Sequence, residues 1–436
     1  MKPLLPLLAF ALAFAPTAAE AKLNSAEKKM VRTVDQEQGR TIALLERLVN
    51  QNSGSLNRAG VEAVGRMMRT ELEPLGFDVK WVSMAETGRA GHLIATHRGN
   101  GRGKRMLLIA HLDTVFELDS PFQRFTLKDA AAEGPGVSDD KGGMVVMVAA
   151  LRAMHAAGTL KDADIQIVLT GDEEDAGEPI AIARRDLIAA AGRADVALEF
   201  EGLAQEEGQD MGSIARRGVA SWKVTARGQT GHSSRIFSEA AGNGAVYELA
   251  RILAAFRSEL PEPNLTFNVG LIVGGTTAEL DRDKIRGSAT GKTNIIPAVA
   301  IARGDMRALS LEQQDRVMSK MRDIVGRHLP GAQAQIEFED GPYPPMAPTE
   351  QSRALLQRLN IVNRDAGLPL MGELDPLKRG AGDIGFVGHL LPGLIGLGAA
   401  GQREHAAGET VDLPSIARQA KRAALLMSRL ARESRR

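Results

Sequence analysis

The chain has 436 residues, and its 54 Lys and Arg equal its 54 Asp and Glu, which excludes the basic excess that a nucleic-acid binder needs to neutralise phosphates. Apolar residues at 44% and charged residues at 25% are ordinary globular usage, so the chain is not disordered, and at roughly 100–200 residues per domain it holds two or three domains. Cysteine is absent, which rules out disulfides and thiolate chemistry and leaves His, Asp and Glu to hold any metal.

Residues 1–21 read as an export signal: Lys2 supplies the positive start, Leu4 to Ala15 the apolar stretch, and Ala19-Glu20-Ala21 the cleavage site. The stretch is shorter than the ~20 apolar residues that span a bilayer. The expected product is a periplasmic or secreted chain starting near Lys22, with no stable membrane insertion after cleavage.

Helical spacing over 26–50 puts Val31, Val34, Ile42, Leu45, Leu48 and Val49 on one side, predicting one helix. Arg105–Ala110, Ile165–Leu169 and Val196–Phe200 read as buried strands, and the apolar Gly142–His155 between the first two as a helix. This alternation predicts an α/β domain with a mostly parallel sheet flanked by helices. From about 216 to 341 the texture changes to strand, helix (Gly242–Phe256), two short strands, helix (Leu311–His328) and strand, which suits an inserted α+β sandwich. Gly341-Pro342-Tyr343-Pro344-Pro345 reads as the return linker. The expected division is 1–21 signal, 22–215 and 342–436 catalytic domain, and 216–341 insert.

Candidate chemistry gathers where strands end. In His111-Leu112-Asp113 the i, i+2 spacing points both side chains the same way, so Asp113 can steady the imidazole while its other nitrogen holds a metal. The same triplet alone also fits an ordinary strand-end pair. Gly134–Gly143 is a glycine-rich loop that carries Asp139 and Asp140 into a helix; its spacing is not that of a phosphate-binding loop, and helix capping is the plainer account. Asp172-Glu173-Glu174-Asp175 follows a strand directly, and such an acidic group is either solvated or gathered around a cation. Glu199 and Glu201 end another strand, and His405 lies in Arg403–Glu409. The five features in series carry more weight than any one.

The series resembles the dinuclear zinc peptidase and amidohydrolase family of carboxypeptidase G-type glutamate carboxypeptidases, succinyl-diaminopimelate desuccinylase, acetylornithine deacetylase and the aminoacylases. His111-Leu112-Asp113-Thr114-Val115, Gly134–Gly143 and Glu173-Glu174 match its metal and catalytic motifs. Gly231-His232, Asn294-Ile295-Ile296-Pro297 and Asp305-Met306-Arg307 match its lid motifs. The resemblance implies a catalytic domain bearing a lid that often forms a homodimer. It implies two Zn²⁺ per subunit, replaceable by Co²⁺, with Asp139 bridging, His111 and Glu201 on one ion, and Glu174 and His405 on the other. Glu201 is preferred to Glu199 for its place past the strand end. Glu173 is implied as general base, Asp113 as the group that fixes His111, and His232 as oxyanion donor, within the subunit or across a dimer. Asn294, Arg307, Gly380 and Gly382 are implied as substrate-binding residues. Gly382 departs from the pattern, since many relatives carry Ser or Thr there.

The expected function is an exported amide hydrolase that releases a C-terminal amino acid from small peptides or N-acyl amino acids. The alternatives are an N-acyl amino acid deacylase and, in another class, a non-catalytic ligand-binding protein on the same fold.

Overall fold

The computed structural model describes residues 23–282, 284–339 and 343–435. The export-signal segment and the first part of the expected return linker lie outside these residues. Among the described residues, no helix is long and apolar enough to cross a membrane.

The larger sheet has six strands, in spatial order Asp78–Ser83, Gly91–His97, Asp164–Thr170, Arg105–His111, Val196–Glu199 and Gly393–Leu394. The last four are mutually parallel, as the alternation predicts. Gly91–His97 departs from that direction: it runs antiparallel to both of its neighbours, Asp78–Ser83 and Asp164–Thr170. The connection over 84–90 is a single short turn, and parallel pairing would need a crossover of a dozen or more residues.

Both faces of this sheet are covered. Met106, Leu108 and Ala110 face one apolar core, shared with the helices Ser25–Gln36, Lys141–Ala157 and Leu413–Leu430. Leu107 and Ile109 face a second core with Leu187, Ala190, Ile384 and Phe386. Burial on both sides is why these strands read as continuous apolar runs rather than alternating ones. Lys141–Ala157 is buried from Lys141 through Met154, which explains its apolar character on most faces. The single helix expected over 26–50 is two, Ser25–Gln36 and Gln38–Asn50, breaking at Glu37. Residues 35–41 carry no apolar anchor and include Gly39, so nothing there holds a continuous helix against the core.

A second sheet, of four antiparallel strands, lies between Gly218 and Phe338, in spatial order Thr266–Gly275, Val299–Ala308, Gly218–Gly228 and Ala332–Phe338. The helices Gly244–Glu259 and Leu311–Val325 cover one face, burying Trp222 edge-on against Phe256. The other face is open, and Ile272 on it is 58% exposed. The two strands between the helices in chain order, expected to be short, are ten residues each, with a small hairpin (Thr277–Leu280 and Gly287–Thr290) added between them. Two crossings join the sheets side by side, with Arg216 bridging to Met346 and Val219 to Tyr343.

Candidate metal centre

The parallel strands end on one rim, where open α/β sheets bind ligands. His111 is the last residue of its strand, the Glu173-Glu174 pair follows Thr170, and Glu201 lies just beyond Glu199. Asp139 enters from the loop before the helix Lys141–Ala157, and His405 from the loop between the short strands Gly401–Gln402 and Thr410–Asp412. Ligand atoms of His111, Asp139 and Glu174 lie within 4.8 Å of one another. Asp139 sits at the centre: Oδ1 is 3.0 Å from His111 Nε2 and Oδ2 is 3.2 Å from His405 Nε2. His405 Nε2 is also 3.1 Å from Glu174 Oε2. Each Asp139 oxygen therefore faces a different imidazole, the disposition of a carboxylate shared by two cations.

Charge argues the same way. Burial pushes Glu173 well above the usual carboxylate range, with Glu201 next in effect, and burial also raises Glu174. Burial acts upward on Asp139 too, but the His111 and His405 hydrogen bonds hold it far below its ordinary value. The contacts with Asp139 and then Glu174 push His405 up to about 11. Burial acts downward on His111, but its contacts with Asp113 and Asp139 outweigh it and hold it well above the usual imidazole value. Cations binding to neutral imidazole and carboxylate would displace protons, and the all N and O donor set suits Zn²⁺.

A layer of buried groups fixes these donors. Asp113, fully buried, lies 3.4 Å from His111 Nδ1 through its carboxylate and 3.1 Å through its carbonyl oxygen. The same carboxylate accepts from Ser55 Oγ at 2.6 Å and from the backbone N–H of Glu173 and Glu174 at 3.0 and 3.1 Å. One side chain thus sets both the histidine and the acidic pair. Glu409 accepts three backbone N–H groups of the aspartate loop, from Gly136, Ser138 and Asp139, at 2.9, 2.8 and 3.0 Å. Gly136 has φ +69°, which favours glycine. Asp140 is buried and accepts from the His111 N–H, so it backs the site rather than facing it. Behind the acidic pair, fully buried Arg184 pairs with Asp172 and Asp383 and donates to the Tyr343 hydroxyl, which in turn donates to the Glu173 carbonyl.

The remaining expected residues divide. Glu201 and Glu173 line, with Asp139 and His405, a cavity of about 490 Å³. Glu201 lies outside the tight donor group, and its Oε2 is 2.6 Å from Arg216. Glu199 is turned inward, with one oxygen on Arg216 and the other on the Ile384 N–H. Arg307 and Gly380 line an adjoining cavity of about 430 Å³ with Arg217 and Lys378, and Arg379 borders both cavities. Gly382 does not line either; the Arg216 guanidinium covers it. His232 and Asn294 are exposed on neighbouring loops of the lid, and the nearest side-chain partner of the His232 ring is Ser234 Oγ at 2.8 Å. Within one chain, neither residue joins the donor cluster. The supporting roles of Ser55, Glu409, Arg184 and Arg216 carry no local sequence signature, although Glu409 sits four residues after His405 in the same motif.

A doubly covered α/β sheet with a carboxylate-rich His, Asp and Glu centre on its rim, and an inserted lid, defines a metal-dependent hydrolase. The pattern of Peptidase family M20/M25/M40 matches residues 107–429, and the chain belongs to that family. Carboxypeptidase G2 of Pseudomonas sp. strain RS-16 is 27% identical over 430 residues, covering 96% of both chains. Succinyl-diaminopimelate desuccinylase of Acidiphilium cryptum is 32% identical over 276 residues, covering 61% of this chain and 67% of that one. In fold the chain is similar to a tripeptidase of Staphylococcus aureus, with a TM-score of 0.72 at 19% identity over 91% of this chain and 99% of that one. It is also similar to a metallo-carboxypeptidase of Sulfolobus solfataricus, at 0.63 and 14% over 90% and 99%. The protein is a zinc-dependent hydrolase of peptide or amide bonds, which sets aside the non-catalytic reading.

Proposed function

We propose that the protein is a carboxypeptidase that releases a C-terminal amino acid from small peptides or N-acyl amino acids, using two zinc ions that share Asp139. The observation that carries this reading is the double contact of Asp139, one oxygen toward His111 and the other toward His405, with Glu174 against the second histidine. His111 and Glu201 would complete one ion's ligands, and Glu174 and His405 the other's. Bound zinc lowers the pKa of water toward 7 and polarises the substrate carbonyl.

The chain's own groups do the rest. Glu173, fixed through its backbone by Asp113 and Tyr343, takes the proton of the attacking water and passes it to the nitrogen of the leaving amine. Glu174 cannot share that task, because a carboxylate committed to a cation is a weak base. The cavity lined by Arg217, Arg307 and Gly380 offers the cationic wall that a substrate carboxylate needs, and a guanidinium suits a planar two-point grip. His232, exposed on the lid, serves as oxyanion donor, and a homodimer formed through the lid gives it a route to a neighbouring site. The composition of residues 1–21 supports a periplasmic or secreted location, where scavenging of peptides is the fitting task.

The likeness to desuccinylases favours one second reading, an N-acyl amino acid deacylase. A panel of dipeptides beside N-acetyl and N-succinyl amino acids, assayed after chelation and again after zinc is restored, separates the two. Zinc-dependent turnover of the acyl series alone would narrow the function to the deacylase, turnover of the dipeptides would exclude that second reading, and no recovery with zinc would refute both.

A further inference from the structure

Arg216 stands at the first crossing into the lid, its backbone paired in both directions with Met346 on the return crossing. The residue is 5% exposed, and all three guanidinium nitrogens have partners. Nε donates to the Gly380 carbonyl at 2.8 Å, Nη2 to the Ala381 carbonyl and Nη1 to Glu199 at 2.8 Å, and Nη1 also forms an ion pair with Glu201 Oε2 at 2.6 Å. One planar group thus ties the end of the Val196–Glu199 strand to the 380–382 loop. Gly382 has φ 179° and ψ 175°, extended backbone that any residue adopts, so its lack of a side chain is not conformational. The reason is space: a β-carbon at 382 would overlap the Arg216 guanidinium.

We propose that Arg216 is a positioning residue for zinc, which holds Oε2 of Glu201 so that Oε1 is left for the metal, and that Gly382 is the vacancy that admits it. The inference rests on the reading of Glu201 as a zinc ligand. Two effects of the guanidinium oppose each other. As a cation beside the site it repels a dication. As a fixed fork held by several partners it aims Glu201, and groups that orient metal ligands in this way are worth about 10–100-fold in affinity. Four simultaneous partners on a rigid plane make aiming the larger effect, and a lysine, with its single point charge, cannot reproduce it.

The test is zinc titration of the full folded chain against a competing chromophoric chelator, with thermal unfolding followed in parallel. In wild type two zinc ions bind. Gly382→Ser, which needs the space the guanidinium fills, and Arg216→Gln should each weaken one zinc about 10–100-fold and leave the other unchanged. Arg216→Lys should recover only part of the loss. Unaltered binding of both ions in folded Gly382→Ser would overturn the proposal, as would tighter binding in Arg216→Gln. A purely structural role would lower the melting temperature and leave the titration as in wild type. Glu201→Gln separates the ligand from its positioning residue: if it retains both zinc ions, Glu201 is no ligand and the reading of it as one falls. If it loses one while the Gly382 and Arg216 variants keep both, the Arg216 proposal alone falls.

Discussion

The rim of the large sheet and the loops of the lid carry residues matched to the same reaction, but they hold them very differently. On the rim, Asp113 takes up a serine hydroxyl and two backbone N–H groups besides His111, and Glu409 takes up three more. On the lid, His232 has a serine hydroxyl for company and Asn294 a solvent-exposed side chain. Groups that carry cations are fixed before anything binds, because a ligand that must be reoriented costs affinity each time. Groups proposed to meet a substrate oxygen only during reaction need no such fixing, and a movement of the lid would bring them in. The two regions should therefore respond to substitution in different currencies.

The largest effect belongs to the rim. Glu173→Gln should cut turnover by about 10²–10⁴ while zinc content stays at the wild-type level, if, as proposed, the residue moves a proton and holds no metal. Undiminished turnover would remove it from the mechanism. On the lid, His232→Ala should lower kcat by about 10²–10³, the range for losing an oxyanion donor, with neither zinc affinity nor melting temperature altered. Mixing that variant with Glu173→Gln tells within-subunit from cross-subunit action. Activity returns on mixing only if an intact His232 reaches the intact Glu173 of another chain.

Next comes the layer behind the ligands. Asp113→Asn should weaken zinc binding about 10–100-fold and lower turnover along with it, reversing the pattern expected of His232→Ala. A variant that bound zinc normally would show that the layer is packing alone.

The smallest effect, and a control on the comparison, lies away from both regions. Asp210, paired with Arg418, Arg422 and Gln205, is held down to about 2 against an ordinary value of 3.8; burial acts the other way and is outweighed by those partners. A carboxyl depressed in the folded state lends stability that is complete above the unfolded value and lost as pH falls through the folded one. Part of the acid-induced fall in melting temperature between pH 4 and pH 2 should vanish in Asp210→Asn, which should also be less stable at pH 7. Its zinc titration should match wild type.

Much of this was legible in the sequence because it is local. A continuous apolar run followed by His111-Leu112-Asp113 or by Glu173-Glu174 marks a buried strand and its end, and the structure has strands at both places. What was not legible depends on distant partners. Nothing near Ser55 announces a hydrogen bond to Asp113, and nothing near Gly382 announces an arginine from residue 216 in its space. The break at Glu37 and the antiparallel course of Gly91–His97 were missed for a different reason. A polar gap shorter than two helical turns, and a turn too short for a crossover, are weak signals beside long apolar patterns. The lid strands were read as too short because one face is open, so their apolar residues alternate rather than run together.

Whether one aspartate gathers a pair of cations is read directly by anomalous diffraction at the zinc edge from crystals grown with zinc. Two peaks about 3.5–4 Å apart are expected, with Asp139 between them, His111 on one and His405 on the other. A single peak, or two with Asp139 bound to neither or to only one, would contradict the account.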